Sequence, residues 1–109
     1  MTLEEALNFA ASLPGGERSK HYGQPAAKVH GHAEVSTGHE PDSSFVLLID
    51  RGDVEMLMAT EPDTYWQTPH YAGYSAVLVR YEAADDDRVR TMIGRAADQA
   101  RAKKPPRRR

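Results

Sequence analysis

Between Ala26 and Asp50 the chain presents three strand-like segments in a row, and nothing between them is long enough to be a helix. They run around Ala26 to His30, His32 to Ser36 and Phe45 to Asp50. Parallel neighbours need a crossover of about a dozen residues or more, whereas antiparallel neighbours close through short connections. A tight turn at Gly31 and the polar loop from Gly38 to Ser44 therefore dictate an antiparallel sheet. Pro25 has no N–H to give to a ladder, which places it at a strand start. The run FVLLI is apolar at consecutive positions, so its strand is central and covered on both faces.

Helical periodicity brackets these strands. Leu3, Ala6, Leu7, Ala10 and Leu13 recur on one face of a helix over Thr2 to Leu13, with Thr2 and Glu5 spaced as a capping box and Pro14-Gly15-Gly16 as the stop. A second helix is expected over Arg51 to Thr60, with Asp50 as N-cap, Asp53 in its first turn and Val54, Leu57 and Met58 buried. Trp66 to Thr68 reads as a short strand, Pro69 to Gly73 as a turn and Ser75 to Glu82 as a strand rich in β-branched and aromatic residues. The segment ADDDRVRTMIGRAADQARA closes the fold as a third helix, with acids at its start and a stripe of Val89, Met92, Ile93, Ala96, Ala97 and Ala100. The stretch that begins at His21, HYGQ, is read as a turn feeding the first hairpin. The expected order is α-β-β-β-α-β-β-α, an α+β two-layer sandwich with an antiparallel sheet and helices on one face.

Its length of 109 residues suits a single domain over residues 1–101. The formal charge of −2 conceals a division. Residues 102–109 hold Lys103, Lys104, Arg107, Arg108 and Arg109 and carry +5, while the remainder carries −7. A run of prolines and cations reads as a disordered basic tail attractive to polyanions, on a body that repels them. With no cysteine, disulfides, thiol nucleophiles and thiolate metal sites are excluded. No leader pattern and no long apolar run is visible, so the expected setting is the cytoplasm, with no membrane contact.

The segments LPGGERSKHYGQPAAKVHG (Leu13 to Gly31), DTYWQTPHYAGYSAVLVRYEA (Asp63 to Ala83) and DDDRVRTMIGRAADQA (Asp85 to Ala100) together resemble the MmcQ/YjbR family. The elements that carry the resemblance are Tyr22-Gly23-x-Pro25-Ala26, Thr68-Pro69-His70-Tyr71, Gly73-Tyr74 and the strand Val77 to Arg80. It extends over residues 1–101. The resemblance implies a CyaY-like α+β fold and a suspected DNA-binding role, and it brings no catalytic residues with it.

Nucleic-acid contacts come mainly from cations that neutralise phosphates and from rings that stack on unpaired bases. The candidates are Lys20, His21, Tyr22, Lys28, His70, Tyr71, Tyr74 and Arg80 on the body, with Lys103, Lys104, Arg107, Arg108 and Arg109 in the tail. The competing reading is a small-ligand or protein site formed by the tyrosine-rich turn and the sheet face. His30, His32 and His39 cluster in sequence, but Gly31 breaks the alternation that would aim the first two together, so no metal or cofactor is expected. No serine sits in a G-x-S-x-G elbow and no glycine-rich phosphate loop precedes a helix, which points to a binding module and not an enzyme, and a monomer is expected.

Overall fold

The computed structural model describes residues 1–38, 40–82 and 85–104. Among the described residues, a six-stranded sheet carries three helices on one face. The chain runs α1 (Leu3–Ser12), β1 (Gly16–His21), β2 (Gln24–Val29), β3 (His32–Ser36), β4 (Ser44–Leu48), α2 (Arg51–Thr60), β5 (Tyr65–Trp66), β6 (Ala76–Arg80) and α3 (Asp86–Ala102). The strands lie in the order β1-β2-β3-β4-β6-β5, and every neighbouring pair is antiparallel. The α+β sandwich is as expected, with one strand more than the sequence suggested.

That additional strand is β1. Its residues Glu17, Arg18, Ser19 and Lys20 show no apolar alternation, because β1 is an edge strand paired on one side only, with β2. Charges on an edge discourage pairing with other chains and also erase the strand's sequence signature. β1 and β2 meet through Tyr22-Gly23, and β2 and β3 through His30-Gly31. Both residues of each turn have positive φ (53° and 79°, then 51° and 80°), the requirement of a type I′ hairpin.

Side-chain alternation divides the sheet's two faces. Ala27, Val35, Leu47 and Val77 lie in register on the helical face, where they join Ala6, Leu7 and Ala10 of α1, Val54 and Leu57 of α2, and Val89, Met92 and Ile93 of α3 in one core. Phe45 at the centre is wholly buried. The other face carries the register row Ser19, Ala26, Ser36, Val46, Leu78 and Trp66. Val46, Ala76 and Leu78 form a second apolar cluster there, with Leu48, Trp66 and Tyr71 packed against it.

Two irregularities interrupt the ladders of β3. Ala27 pairs with Val35 but Lys28 pairs with Ala33, so Glu34 is the extra residue of a β-bulge. The β3–β4 ladder covers only Val35–Leu47 and Ser36–Val46, after which Ile49 N–H turns to the Ser75 carbonyl (3.2 Å).

The helix ends agree with the chain's local chemistry, with one exception. Thr2 and Glu5 form the full capping box of α1. Asp85 caps α3 by accepting from the N–H groups of Asp87 and Arg88. Asp50 stands at the N-cap of α2, yet its side chain makes no capping bond, and the Asp53 carboxylate turns to α3. α3 runs through Ala102, where the expected helix segment ends, with Lys103 as C-cap. Among the described residues no helix is long and apolar enough to cross a membrane.

Candidate functional site

The helix-free face is hollow because of its residue sizes. Along the register row, Ser19, Ala26 and Ser36 are small, whereas Val46, Leu78 and Trp66 are bulky. A groove of about 810 Å³ opens there, within the range of small-ligand sites. Val46, Leu48 and Ala76 make its floor, and the Ser36 and Thr37 hydroxyls lie along it. One wall is the tip of the β1–β2 hairpin, with His21, Tyr22 and Gln24; the other is the loop between β5 and β6, with His70 and Tyr71.

Each wall presents an imidazole beside a phenol. The His21 and Tyr22 rings lie 4.5 Å apart between centroids at 58°, and those of His70 and Tyr71 lie 4.9 Å apart, edge to face. Tyr22 is 93% exposed, held at the hairpin tip by a backbone conformation that costs a bulky residue roughly 1 kcal/mol or more. Tyr71 is anchored differently. It packs on the second apolar cluster, and burial pushes its phenol pKa up.

The second wall is organised by Gln67, whose side-chain amide donates to the carbonyls of Tyr71 (3.1 Å), Tyr74 (3.3 Å) and Ala76 (2.7 Å). Backbone bonds from Tyr71 to Thr68 and from Tyr74 to Tyr71 complete the turn. Nothing in the sequence distinguished Gln67 from other polar loop residues. Its role depends on three carbonyls that converge only once β5 and β6 are paired.

Of the sequence-selected residues, the groove gathers His21, Tyr22, His70 and Tyr71 and disperses the others. Tyr74 is 62% exposed, lies beyond the rim and does not line the groove. Lys20 pairs with Pro25 and alternates onto the side of Arg18, the helical side. Lys28 shares the open face but stands directly across from Glu17. Arg80 stacks over the Trp66 ring, 4.7 Å from its centroid. Lys103 caps α3, and the Lys104 carbonyl lies 2.6 Å from His32 Nε2. Arg107, Arg108 and Arg109 lie outside the described residues, as does His39.

Many of the body's arginines are matched to carboxylates within the fold. Arg18 pairs with Glu4 (2.8 Å), Arg88 with Glu61 (3.0 Å), Arg90 with Asp87 (2.9 Å) and Arg95 with Asp53 (2.9 Å), while Arg101 pairs with Asp98. Among the described residues no Lys, Arg, Asp or Glu lines the groove itself. Among them, too, no three His, Asp or Glu side chains gather where they could hold a metal ion.

An antiparallel α+β sandwich with a neutral, ring-walled groove is the class that fold and site define. Comparison adds relatives but no activity. The chain is 40% identical over 60 residues to uncharacterized protein Rv2570 of Mycobacterium tuberculosis (strain ATCC 25618 / H37Rv), a match covering 52% of this chain and 46% of the relative. The same figures hold for uncharacterized protein Mb2600 of Mycobacterium bovis (strain ATCC BAA-935 / AF2122/97). The match thus spans about half the length of these curated relatives. No protein-family model matches the chain, and no solved structure matches it.

Proposed function

We propose that this protein is a non-catalytic, cytoplasmic binding module that holds a ligand with a planar ring in the groove on its open sheet face. The observation that carries the reading is that two imidazole–phenol pairs line one groove with an apolar floor. Rings gain from stacked and edge-to-face packing, and the Gln24 amide with the Ser36 and Thr37 hydroxyls supplies the few polar contacts that orient a ligand.

Nucleic acid is the second reading, and the resemblance to the MmcQ/YjbR family supports it. An unpaired base fits the same walls, and the basic tail would track the strand's phosphates. Duplex DNA is the weaker form of this idea, since five body arginines are already matched to carboxylates.

Amide-resolved NMR of the full chain distinguishes these readings, with adenosine, a ten-nucleotide single strand and a duplex as probes at about 0.15 M salt. Adenosine and the single strand are expected to move Tyr22, Gln24, Thr37 and Tyr71. Shifts confined to residues after Arg101 with either nucleic acid, and none with adenosine, would exclude the groove as the binding site.

A further inference from the structure

A second cavity adjoins the groove. Where the β3–β4 ladder stops, this fissure of about 240 Å³ lies between His32 and Ala33 of β3, Leu48 and Ile49, and the last turns of α3. His21 and Leu48 line both spaces, so the fissure lies directly beside the groove. Lys103 and Ser75 also line the fissure.

The linings of the two spaces depart from the rest of the chain in charge. The sequence holds 16 acidic residues, and the body without its tail is strongly negative. Among the described residues, none of those acids lines the groove or the fissure. The ionisable side chains that do are histidines, Tyr22, Tyr71 and one lysine. Lys103 is free of ion pairs among the described residues, unlike the arginines around it. Its place is fixed at the α3 C-cap, where its N–H donates to the Ala100 carbonyl (3.2 Å), and by the neighbouring contact of Lys104 with His32. The α3 C-terminus itself disfavours an anion, and a full ammonium charge offsets the partial negative charge there.

We propose that the occupant of the groove carries an oxyanion, and that the fissure receives it with Lys103 as countercharge and the Ser75 hydroxyl and His21 ring as polar neighbours. This rests on the ring-binding reading of the groove and narrows its ligand to small ring compounds bearing one phosphate or carboxylate. A charge-assisted contact is roughly twice as strong as a neutral one, and a partly enclosed site screens it less than open surface does.

The test uses matched pairs against the full chain by calorimetry and NMR: adenosine with adenosine 5′-monophosphate, indole with indole-3-acetate, and phenol with phenyl phosphate. In any pair that binds, the acidic member is expected to bind about tenfold more tightly and to move the Ser75 and Lys103 amides. Lys103→Gln lies at an exposed cap and is expected to bring the acid down to its neutral partner while leaving that partner unchanged. Lys103→Glu would push it lower still. Equal binding of both members, unaltered by Lys103→Gln, would overturn the oxyanion site and leave the groove standing. Failure of every pair would overturn the groove reading and the oxyanion site together. Phosphate against carboxylate members separates the two kinds of oxyanion.

Discussion

The Asp53 carboxylate, on the first turn of α2, accepts a 2.9 Å hydrogen bond from Arg95 Nε on α3. Its second oxygen accepts from Gln99 Nε2 at 2.6 Å, and Gln99 Oε1 in turn accepts the Asp50 N–H at 2.8 Å. One buried carboxylate thus ties the start of α2 to the end of α3, beside the fissure that Gln99 lines. Asp53→Ala leaves Gln99 without a partner for its amide and is expected to cost about 2–3 kcal/mol, the range for bonds to a charged group. Arg95→Ala removes the more exposed partner and is expected to cost no more than about 1 kcal/mol. Urea midpoints of the two variants provide the check; equal losses would contradict the view that the carboxylate is the hub.

Glu34 makes stability depend on pH. The bulge turns it inward, leaving it 1% exposed with neither carboxylate oxygen hydrogen-bonded among the described residues. Burial pushes its pKa from 4.5 up to about 8; Arg101 opposes that rise, and Asp98 reinforces it. Unfolded, the group loses its proton near 4.5; folded, it holds it to about 8, so between these values the folded state binds more protons. Stability therefore falls as pH rises through this window and levels off above it, by an amount on the order of 5 kcal/mol. Glu34→Gln cannot ionise and is expected to flatten the profile, gaining most at pH 8 and least near pH 4. Denaturant titrations across pH 4–9 test this, and an unchanged slope in Glu34→Gln would assign the dependence to other groups.

Arg80 separates a structural cation from a nucleic-acid contact. Stacked on Trp66, it contributes roughly 0.5–1 kcal/mol through the cation–π contact. Arg80→Gln is expected to lower stability by that amount and to leave DNA affinity unchanged. Deleting residues 105–109 removes Arg107, Arg108 and Arg109, three of the tail's five charges. If the tail supplies the affinity, its salt slope should fall from about −4 to −5 to about −2. A slope that survives the deletion would return duplex binding to the body.

What the sequence disclosed followed from whether the physics was local. The capping box at Thr2 and Glu5 and the turn at Gly31 depend on neighbours a few residues away, and both were legible. β1 was not, because an edge strand has no buried face to impress a pattern on Glu17 to Lys20. Glu34 resembled a solvated strand residue, since only the cross-strand slip that creates the bulge sends it inward. The groove was half legible. His21, Tyr22, His70 and Tyr71 stood out as side chains, but their meeting across the sheet depends on the pairing of β4 with β6 and on the small residues between.

Tyr22 exposes the conflict between stability and the proposed site most directly. A type I′ turn wants Asn, Asp or Gly at its first position, and this chain places a tyrosine there with φ of 53° and almost its whole side chain in solvent. That choice gains little for the fold: the ring's contact with His21 lies at the surface, and no buried cluster includes it. Tyr22→Asn relieves the strain and is expected to raise stability by roughly 0.5–1 kcal/mol. The same change strips one wall of the groove, and losing a stacking ring is expected to weaken a ring ligand by about five- to tenfold, the low end for such contacts. Melting curves and ligand titrations on Tyr22→Asn and Tyr22→Phe make the comparison. Phe keeps the stacking surface and the strain, so it should match the parent chain in both measurements. A variant that is stabilised yet binds as before would show that the exposed ring serves something other than this groove.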